Sequence, residues 1–257
     1  MPAEYYLDFT SEELAVAAGV NRARLLTDLT GEGLRTIYPV NPWIMPKENL
    51  LTVFLSWPED KAHAPGLGSV KARVFLADPA KPFPTPLRVL AELAWPSPPK
   101  QPEQYPHLAS VPFVVDDAPP CNLWREAETV AKLQPADREA IIAQAEMLRL
   151  ALAGGDPARA AEIARYKHEE DARSHGQPAQ SATEQATEQY KMITDTPKLR
   201  SEALTLESAV FEPVAGGRIW LVSRGTEGSA IKLENDDDVF EIDVFASRLG
   251  GKWRIVR

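Results

Sequence analysis

The sequence predicts two domains of different class. These are an all-β sandwich over residues 1–118 and an α+β domain, with helices packed on an antiparallel sheet, over residues 119–257. Apolar residues alternate with polar ones before Cys121 but recur every three or four residues after it. Prolines crowd residues 79–120, which central strands avoid, and this stretch ends in Ala118-Pro119-Pro120. Alternation then returns from residue 203 onward.

Composition and charge narrow the classes of function. The chain has 257 residues, enough for two cores, and a formal net charge of -9. Phosphates and anionic membrane surfaces attract cations, so this charge disfavours nucleic acid and membranes as partners. Cys121 is the single cysteine, which excludes a disulfide within the chain. The N-terminus has no basic segment followed by an apolar one, so we expect a cytoplasmic protein.

Short strands separated by turns account for the first half. In residues 48–57, the side chains of Leu51, Val53 and Leu55 share one face, as a half-buried strand requires. Residues 14–20 have a second interpretation, a brief helix, because Ser11-Glu12-Glu13 is suited to cap one. The predicted strands are residues 5–9, 14–20, 35–38, 48–57, 70–77, 87–95 and 111–116.

Three short stretches of this half follow one another along the chain: Val20-Asn21-Arg22, Tyr38-Pro39-Val40-Asn41-Pro42-Trp43-Ile44 and Pro46-Lys47-Glu48-Asn49-Leu50-Leu51-Thr52-Val53. Together they resemble the jelly-roll domains that accompany some glycoside hydrolases. In those domains a V-N-G strand leads to a P-G-E-N-x-L-x-V turn and strand. This chain departs from the pattern at Arg22 and Lys47, where the family has glycine. The resemblance implies a sandwich that serves in many members as a scaffold.

Three helices are predicted after the boundary. The first begins at Pro135, carries an apolar stripe and ends at Gly154-Gly155. Asp156 caps the second helix, which runs to about His175. Ser181 and Glu184 form a capping box that opens the third, which closes before Pro197. The residues predicted to point inward from the first and third helices are Ile141, Ala145, Leu148, Leu152, Ala182, Ala186, either Gln189 or Tyr190, and Ile193.

The end of the chain is predicted to form an antiparallel meander of strands. Residues 239–248 alternate throughout and predict one continuous strand, and Gly250-Gly251 supplies the turn that follows it. The other strands are predicted at residues 218–224, 230–233 and 252–256. A sheet with one apolar face needs a cover, and the helices just upstream are expected to provide it.

Two stretches of the second half are distinctive: Leu150-Ala151-Leu152-Ala153-Gly154-Gly155-Asp156-Pro157-Ala158-Arg159-Ala160-Ala161 and the closing Gly251-Lys252-Trp253-Arg254-Ile255-Val256. With these motifs the second half resembles the NTF2-like superfamily, whose members include ketosteroid isomerases. The resemblance implies a curved sheet wrapped on helices around an apolar pocket. The family hosts isomerases, dehydratases and cyclases as well as non-catalytic binding domains. Its members often pair through the open sheet, which implies a homodimer here.

Asp243 is the candidate catalytic residue, and Tyr190, Trp220 and Asp243 are the candidate ligand-binding residues. In an NTF2-like cone, a lone carboxylate that faces the pocket acts as a general base with a raised pKa. Tyr190 and Trp220 would line such a pocket. The alternative is an outward-facing acid on a wet sheet face. We favour the alternative because no second acid or histidine stands at a recognisable spacing from Asp243.

Neither a metal nor a cofactor is expected. His168, Asp171 and His175 share one helix face, which makes a metal site conceivable, but a solvated helix end explains this charged segment better. The acidic run 234–238 lacks the spacing of a calcium loop and predicts a polar hairpin. The chain contains no nucleophile elbow, phosphate-binding loop or dinucleotide fingerprint.

Three functional hypotheses follow. The preferred one is a non-enzymatic binding or interaction protein whose ligand, a small molecule or a protein, is unknown. The second is an enzyme of isomerase, dehydratase or cyclase type, with its pocket in the α+β domain. The third is carbohydrate binding by the sandwich through an exposed tryptophan, for which Trp43, Trp57 and Trp95 are the candidates; the alternative is that all three belong to the core.

Overall fold

The chain is a mixed α/β protein with extensive antiparallel sheets. A computed structural model describes residues 3–58, 68–82, 84–96, 106–225 and 228–257. The chain divides into two compact units, Met1–Pro119 and Pro120–Arg257. None of the helices in the described residues combines the length and the apolar character that crossing a membrane requires.

Strands make up the first unit. In chain order they are β1 (Tyr5–Glu12), β2 (Ala15–Val20), β3 (Leu26–Asp28), β4 (Leu34–Pro39), β5 (Lys47–Ser56), β6 (Ser69–Ala77), β7 (Pro86–Trp95) and β8 (His107–Val115). They form two antiparallel sheets, ordered β4-β1-β6-β7 and β3-β2-β5-β8. One face of each sheet is buried, as Leu7 and Phe9 in β1 and Leu51 and Val53 in β5 illustrate. This arrangement is compatible with a β-sandwich.

The strands predicted in this half are confirmed, with differences at their ends. The ambiguous residues 14–20 form a strand, β2, and β3 was not predicted. Phe75 lies on the polar side of β6 by alternation, yet it is fully buried. Tyr6 stacks on its ring with 5.7 Å between centroids, and the Arg73 guanidinium lies 5.9 Å from that ring. Neighbouring side chains therefore cover Phe75 on the sheet's outer face.

Arg22 and Lys47 stand where the jelly-roll pattern has glycine, and both have a positive φ. The value is 69° at each residue, in the left-handed region that an L side chain adopts at a cost. Asn21, between β2 and Arg22, is also left-handed, with φ of 56°. The two departures from the glycine pattern therefore keep the backbone that glycine would favour.

Replacing Arg22 or Lys47 by glycine is expected to raise the free energy of unfolding by about 1 kcal/mol each. Both side chains are exposed, so the substitution removes backbone strain and little packing. The measurement is urea-induced unfolding of the two variants beside Glu48→Gly. Glu48 is exposed on β5 without a positive φ, so its variant should lose about 0.5–1 kcal/mol. If Arg22→Gly and Lys47→Gly lose as much stability as Glu48→Gly, the result would contradict backbone strain at Arg22 and Lys47.

The second unit opens with helices. They are α1 (Leu123–Glu126), α2 (Pro135–Ala153), α3 (Pro157–Ile163), α4 (Arg165–Ser174) and α5 (Ala179–Thr194). The predicted cap of α3 is confirmed, since the Asp156 carboxylate accepts a hydrogen bond from the Arg159 amide at 2.9 Å. The second predicted helix is wrong in its length, because Ala164, with ψ of 11°, separates α3 from α4. The predicted capping box is also wrong: α5 begins before Ser181, whose hydroxyl donates to the Pro178 carbonyl.

The sheet of the second unit follows the helices. Its strands are β9 (Ala209–Val214), β10 (Ile219–Arg224), β11 (Gly228–Ser229), β12 (Ile231–Glu234), β13 (Val239–Ile242), β14 (Val244–Leu249) and β15 (Lys252–Ile255). β10 pairs with β9, β11 and β14, β14 pairs with β15, and β12 and β13 form a separate hairpin. The predicted continuous strand over residues 239–248 is wrong, because the ladder breaks at Asp243. Gly250 and Gly251, with φ of 55° and 76°, make the predicted turn.

A single apolar cluster fills the space between these helices and the sheet. The helical stripe supplies Ile141, Leu148 and Leu152, and the sheet supplies the facing side chains. Large members of the cluster from α5 and the sheet are Tyr190, Trp220, Val222, Ile231, Leu233, Val244, Trp253 and Ile255. The predicted cover of the sheet by its upstream helices is confirmed for this face.

Candidate functional site

The structure does not bring the three candidate residues of the second unit together. Tyr190 and Trp220 are buried members of the apolar cluster, each 7% exposed. Asp243 is exposed at the break between β13 and β14, where the ladder passes from the β12 hairpin to β10. Its carboxylate accepts a hydrogen bond from the Ser229 hydroxyl at 2.8 Å. Asp243 therefore lies outside the core that holds the two aromatic side chains.

Tyr190 has a polar partner that was not predicted. Its hydroxyl lies 3.1 Å from Nε2 of His168 on α4, and the two rings meet edge to face. Burial lowers the pKa of His168 to about 4 and raises the pKa of Tyr190 to about 12. Both groups are thus neutral at pH 7 and satisfy one another's hydrogen bonding. This pair joins α4 to α5 through a half-buried histidine and a buried tyrosine.

The metal interpretation of α4 gains no support from this geometry. In the described part of the chain, no three His, Cys, Asp or Glu side chains come together as a set that could hold a metal ion. His168 is turned toward Tyr190, so His168, Asp171 and His175 do not converge as ligands. The helical spacing of the three residues shows only that they share a side of α4.

The His168 contact predicts a specific acid sensitivity. The folded chain holds His168 neutral down to about pH 4, whereas an unfolded histidine takes up a proton near 6.5. The unfolded state therefore binds the extra proton in this window. The stabilisation is present in full above pH 6.5 and is lost as the pH falls toward 4, by at most about 1.4 kcal/mol per pH unit. Urea unfolding at several pH values should show that the free energy of unfolding of His168→Gln depends less on pH between 4 and 6.5 than that of the parent chain. An unchanged pH dependence would contradict an imidazole that the fold holds neutral.

A polar cavity lies on the outer face of the sheet β4-β1-β6-β7. Its volume is about 320 Å³, and its lining residues are Asp8, Thr10, Lys71, Ala72, Arg73 and Glu92. Strand register places these side chains in rows: Asp8 is opposite Arg73, and Arg73 is opposite Glu92. Thr10 is opposite Lys71 in the next row. We call these residues, without Ala72, the sheet groove.

Two of the four charged side chains of the sheet groove form an ion pair with each other, and the other two have no partner among the described residues. Arg73 donates from Nε to Oδ2 of Asp8 at 2.7 Å, and its Nη2 forms an ion pair with the same oxygen, also at 2.7 Å. The Arg73 guanidinium also lies beside the buried Phe75 ring, which limits its movement. Lys71 and Glu92 are exposed, and neither makes a hydrogen bond or an ion pair within the described ranges. One cation and one anion therefore remain available to a ligand.

Sequence reasoning missed the sheet groove, although part of its signal was visible. Lys71 and Arg73 alternate with apolar residues in β6, which places both cations on one face. Asp8 alternates in the same way in β1. The missing information was that β1 lies beside β6 in the sheet. Nothing in the local pattern of either strand specifies a partner so far away in the chain.

Comparison with known proteins found no related protein. The chain matches no family model, no curated protein and no solved structure. Its function is therefore argued from the chemistry of its own side chains. The sheet groove combines a concave shape, charges held on rigid strands and two groups that have no partner among the described residues, as a binding site requires.

Proposed function

We propose that the protein is a non-enzymatic binding protein whose first unit takes up a small zwitterionic molecule, such as a free amino acid, in the sheet groove. The observation that carries this proposal is the presence of two opposite charges, Lys71 and Glu92, on one cavity of about 320 Å³, neither of which is paired with another of the described residues. Four of its six lining residues are charged, so the groove is suited to hold a charged ligand through ion pairs and hydrogen bonds.

The spacing of the two charges suits a zwitterion. Lys71 is opposite Ala94 and Glu92 is opposite Arg73, so Lys71 and Glu92 are diagonal neighbours on β6 and β7. Diagonal positions on adjacent strands are about 7–8 Å apart. A ligand ammonium on Glu92 and a ligand carboxylate on Lys71 span this gap when they are separated by one or two carbon atoms. Arg73 and Asp8 lie in the same row as Glu92, and their ion pair balances the two other charges of the groove.

The affinity expected from these contacts is modest. A hydrogen bond to a charged group contributes roughly 1.5–3 kcal/mol, and the site is open to screening by water and salt. Two such contacts correspond to a dissociation constant on the order of 1 mM. A ligand with additional hydroxyl or amide groups would gain from Thr10 as well.

Calorimetric titration with free L-amino acids tests the proposal, with D-glucose as an uncharged polyhydroxylated probe. We expect saturable heat with amino acids, and we expect the affinity to fall at least tenfold in Lys71→Ala and in Glu92→Ala. The matched control Glu48→Ala, on the other sheet, should bind as the parent chain does. Absence of saturable heat, or equal binding by all variants, would contradict the proposal. Saturation by glucose alone would support the carbohydrate hypothesis instead.

The two other hypotheses gain less support. None of the three candidate tryptophans is exposed: Trp43 is buried, and Trp57 and Trp95 are half-buried. Trp95 also packs on His107 with 4.6 Å between ring centroids. The exposed position of Asp243 gives no support to a general base inside the second unit.

The fold relationships are part of the same proposal. Positive φ at Arg22 and Lys47 supports a jelly-roll sandwich in the first unit, because the backbone has the form that glycine favours in that pattern. Helices followed by an antiparallel sheet support an NTF2-like fold in the second unit. We further propose a cytoplasmic homodimer without nucleic-acid or membrane partners; a monomer mass in light scattering would contradict the dimer.

A further inference from the structure

Two cations and a hydroxyl form one row on the sheet β4-β1-β6-β7, next to the row that contains Asp8 and Arg73. In this row Thr10 of β1 is opposite Arg35 of β4 and opposite Lys71 of β6. Side chains that are directly opposite one another leave the same face of a sheet. Arg35, on the edge strand β4, therefore lies on the face that carries the sheet groove.

No described residue engages these three side chains. Arg35 and Lys71 are exposed, and Thr10 is half-buried. Within the described ranges, none of the three side chains makes a hydrogen bond or an ion pair. The formal net charge of the chain is -9, so two neighbouring cations that hold no described carboxylate are a local exception on its surface. A local excess of one charge attracts ligands of the opposite charge.

The carboxylates that β1 places on this face leave the two cations available. Asp8 is held by Arg73 in the next row, at 2.7 Å. Glu12, in the row on the other side, accepts a hydrogen bond from the Ser69 hydroxyl at 3.5 Å. Neither carboxylate forms an ion pair with the two cations of the row.

The length of the two cationic side chains allows both to contact one anion. Neighbouring strands are about 4.8 Å apart, so roughly 10 Å separates the backbones of β4 and β6, with β1 between them. Arg35 and Lys71 are long and Thr10 is short, so both charges reach the space above its hydroxyl. A guanidinium also presents two parallel N–H groups to a carboxylate, which a lysine ammonium does not.

We propose that the ligand of the sheet groove is an amino acid with an acidic side chain, such as glutamate, and that the Arg35 guanidinium binds the side-chain carboxylate. This inference rests on the proposed function, in which the ligand ammonium lies on Glu92 and the main carboxylate on Lys71. A second carboxylate, two or three carbon atoms from the first, lies toward Thr10 and Arg35. The two negative charges and one positive charge of such a ligand then meet two cations and one anion of the protein.

The test is calorimetric titration of the full chain at pH 7 with L-glutamate and, separately, with L-glutamine. The two ligands have nearly the same size, so the ratio of their affinities isolates the charge of the side chain. We expect glutamate to bind roughly fivefold more tightly than glutamine, as an exposed pair of good geometry allows. In Arg35→Gln this ratio should fall to about one. The matched control is Arg88→Gln, which changes the net charge equally but lies opposite Leu76, and it should keep the ratio of the parent chain.

The outcomes separate this inference from the proposed function. Equal affinities for glutamate and glutamine in the parent chain would overturn the inference and leave an amino-acid site standing. A ratio that Arg35→Gln leaves unchanged would also overturn it, because the preference would then arise elsewhere. Absence of saturable heat with both amino acids would overturn the proposed function and the role of Arg35 together.

Discussion

Replacing Asn49 by alanine is expected to lower the free energy of unfolding by about 3 kcal/mol. Asn49 is 4% exposed and joins two loops of the first unit. Its side-chain oxygen accepts from the Met45 amide at 2.8 Å and from the Asn21 side chain at 2.9 Å, and its nitrogen donates to the Met45 carbonyl. Each buried polar group left without a partner costs about 1–3 kcal/mol. At least two such groups are created by the substitution.

The matched control is Asn235→Ala. Asn235 accepts from the Asp237 and Asp238 amides in the exposed hairpin loop, where water replaces the lost contacts. This variant should lose less than about 1 kcal/mol in the same urea titration. The double variant Asn21→Ala/Asn49→Ala should lose less than the sum of the single variants, because the two side chains bond one another. Additive losses, or equal effects of Asn49→Ala and Asn235→Ala, would contradict the account of a coupled buried pair.

Replacing Glu170 by alanine is expected to cost the second unit about 3 kcal/mol. Glu170 is fully buried and forms an ion pair with Arg173. Its other oxygen accepts from the Leu123 amide, in the first turn of α1, at 2.8 Å and from the Cys121 thiol at 3.1 Å. Breaking a buried pair from one side costs about 3–5 kcal/mol. Arg173 is about a third exposed, so water takes up part of its charge and the lower value applies.

Two further variants show whether charge or hydrogen bonding dominates at this position. Glu170→Gln keeps an oxygen for the Leu123 amide and should lose roughly half as much as Glu170→Ala, about 1.5 kcal/mol. Glu169→Ala is the matched control one position earlier on α4, where the side chain is half-buried, and should change stability by less than about 0.5 kcal/mol. A loss at Glu169 as large as that at Glu170 would contradict the role assigned to the buried carboxylate.

Local patterns in the sequence were sufficient for most elements of the fold. Alternation located β1, β5 and β6, because a half-buried strand repeats every two residues whatever its neighbours are. The Asp156 cap and the Gly250-Gly251 turn were also predictable, since both depend on backbone geometry within a few residues. The break at Asp243 was not, because alternation continues through it while its ladder partner changes from β12 to β10.

The candidate sites were harder to predict because they depend on distant residues. Either Gln189 or Tyr190 was expected to point inward, and Tyr190 does. Whether an inward side chain lines a pocket or fills a core depends on the volume of every residue around it. The sheet groove depends on β1 pairing with β6. The sequence of one strand alone does not indicate which distant strand it pairs with.

The most direct test of the proposed binding function is a ¹⁵N–¹H correlation titration of the whole chain with a free L-amino acid. The sheet groove predicts saturable shifts confined to backbone amides of β1, β6 and β7, centred on Thr10, Lys71 and Glu92. Saturable shifts centred instead on the second unit, or an unchanged spectrum at ligand concentrations well above 1 mM, would contradict it.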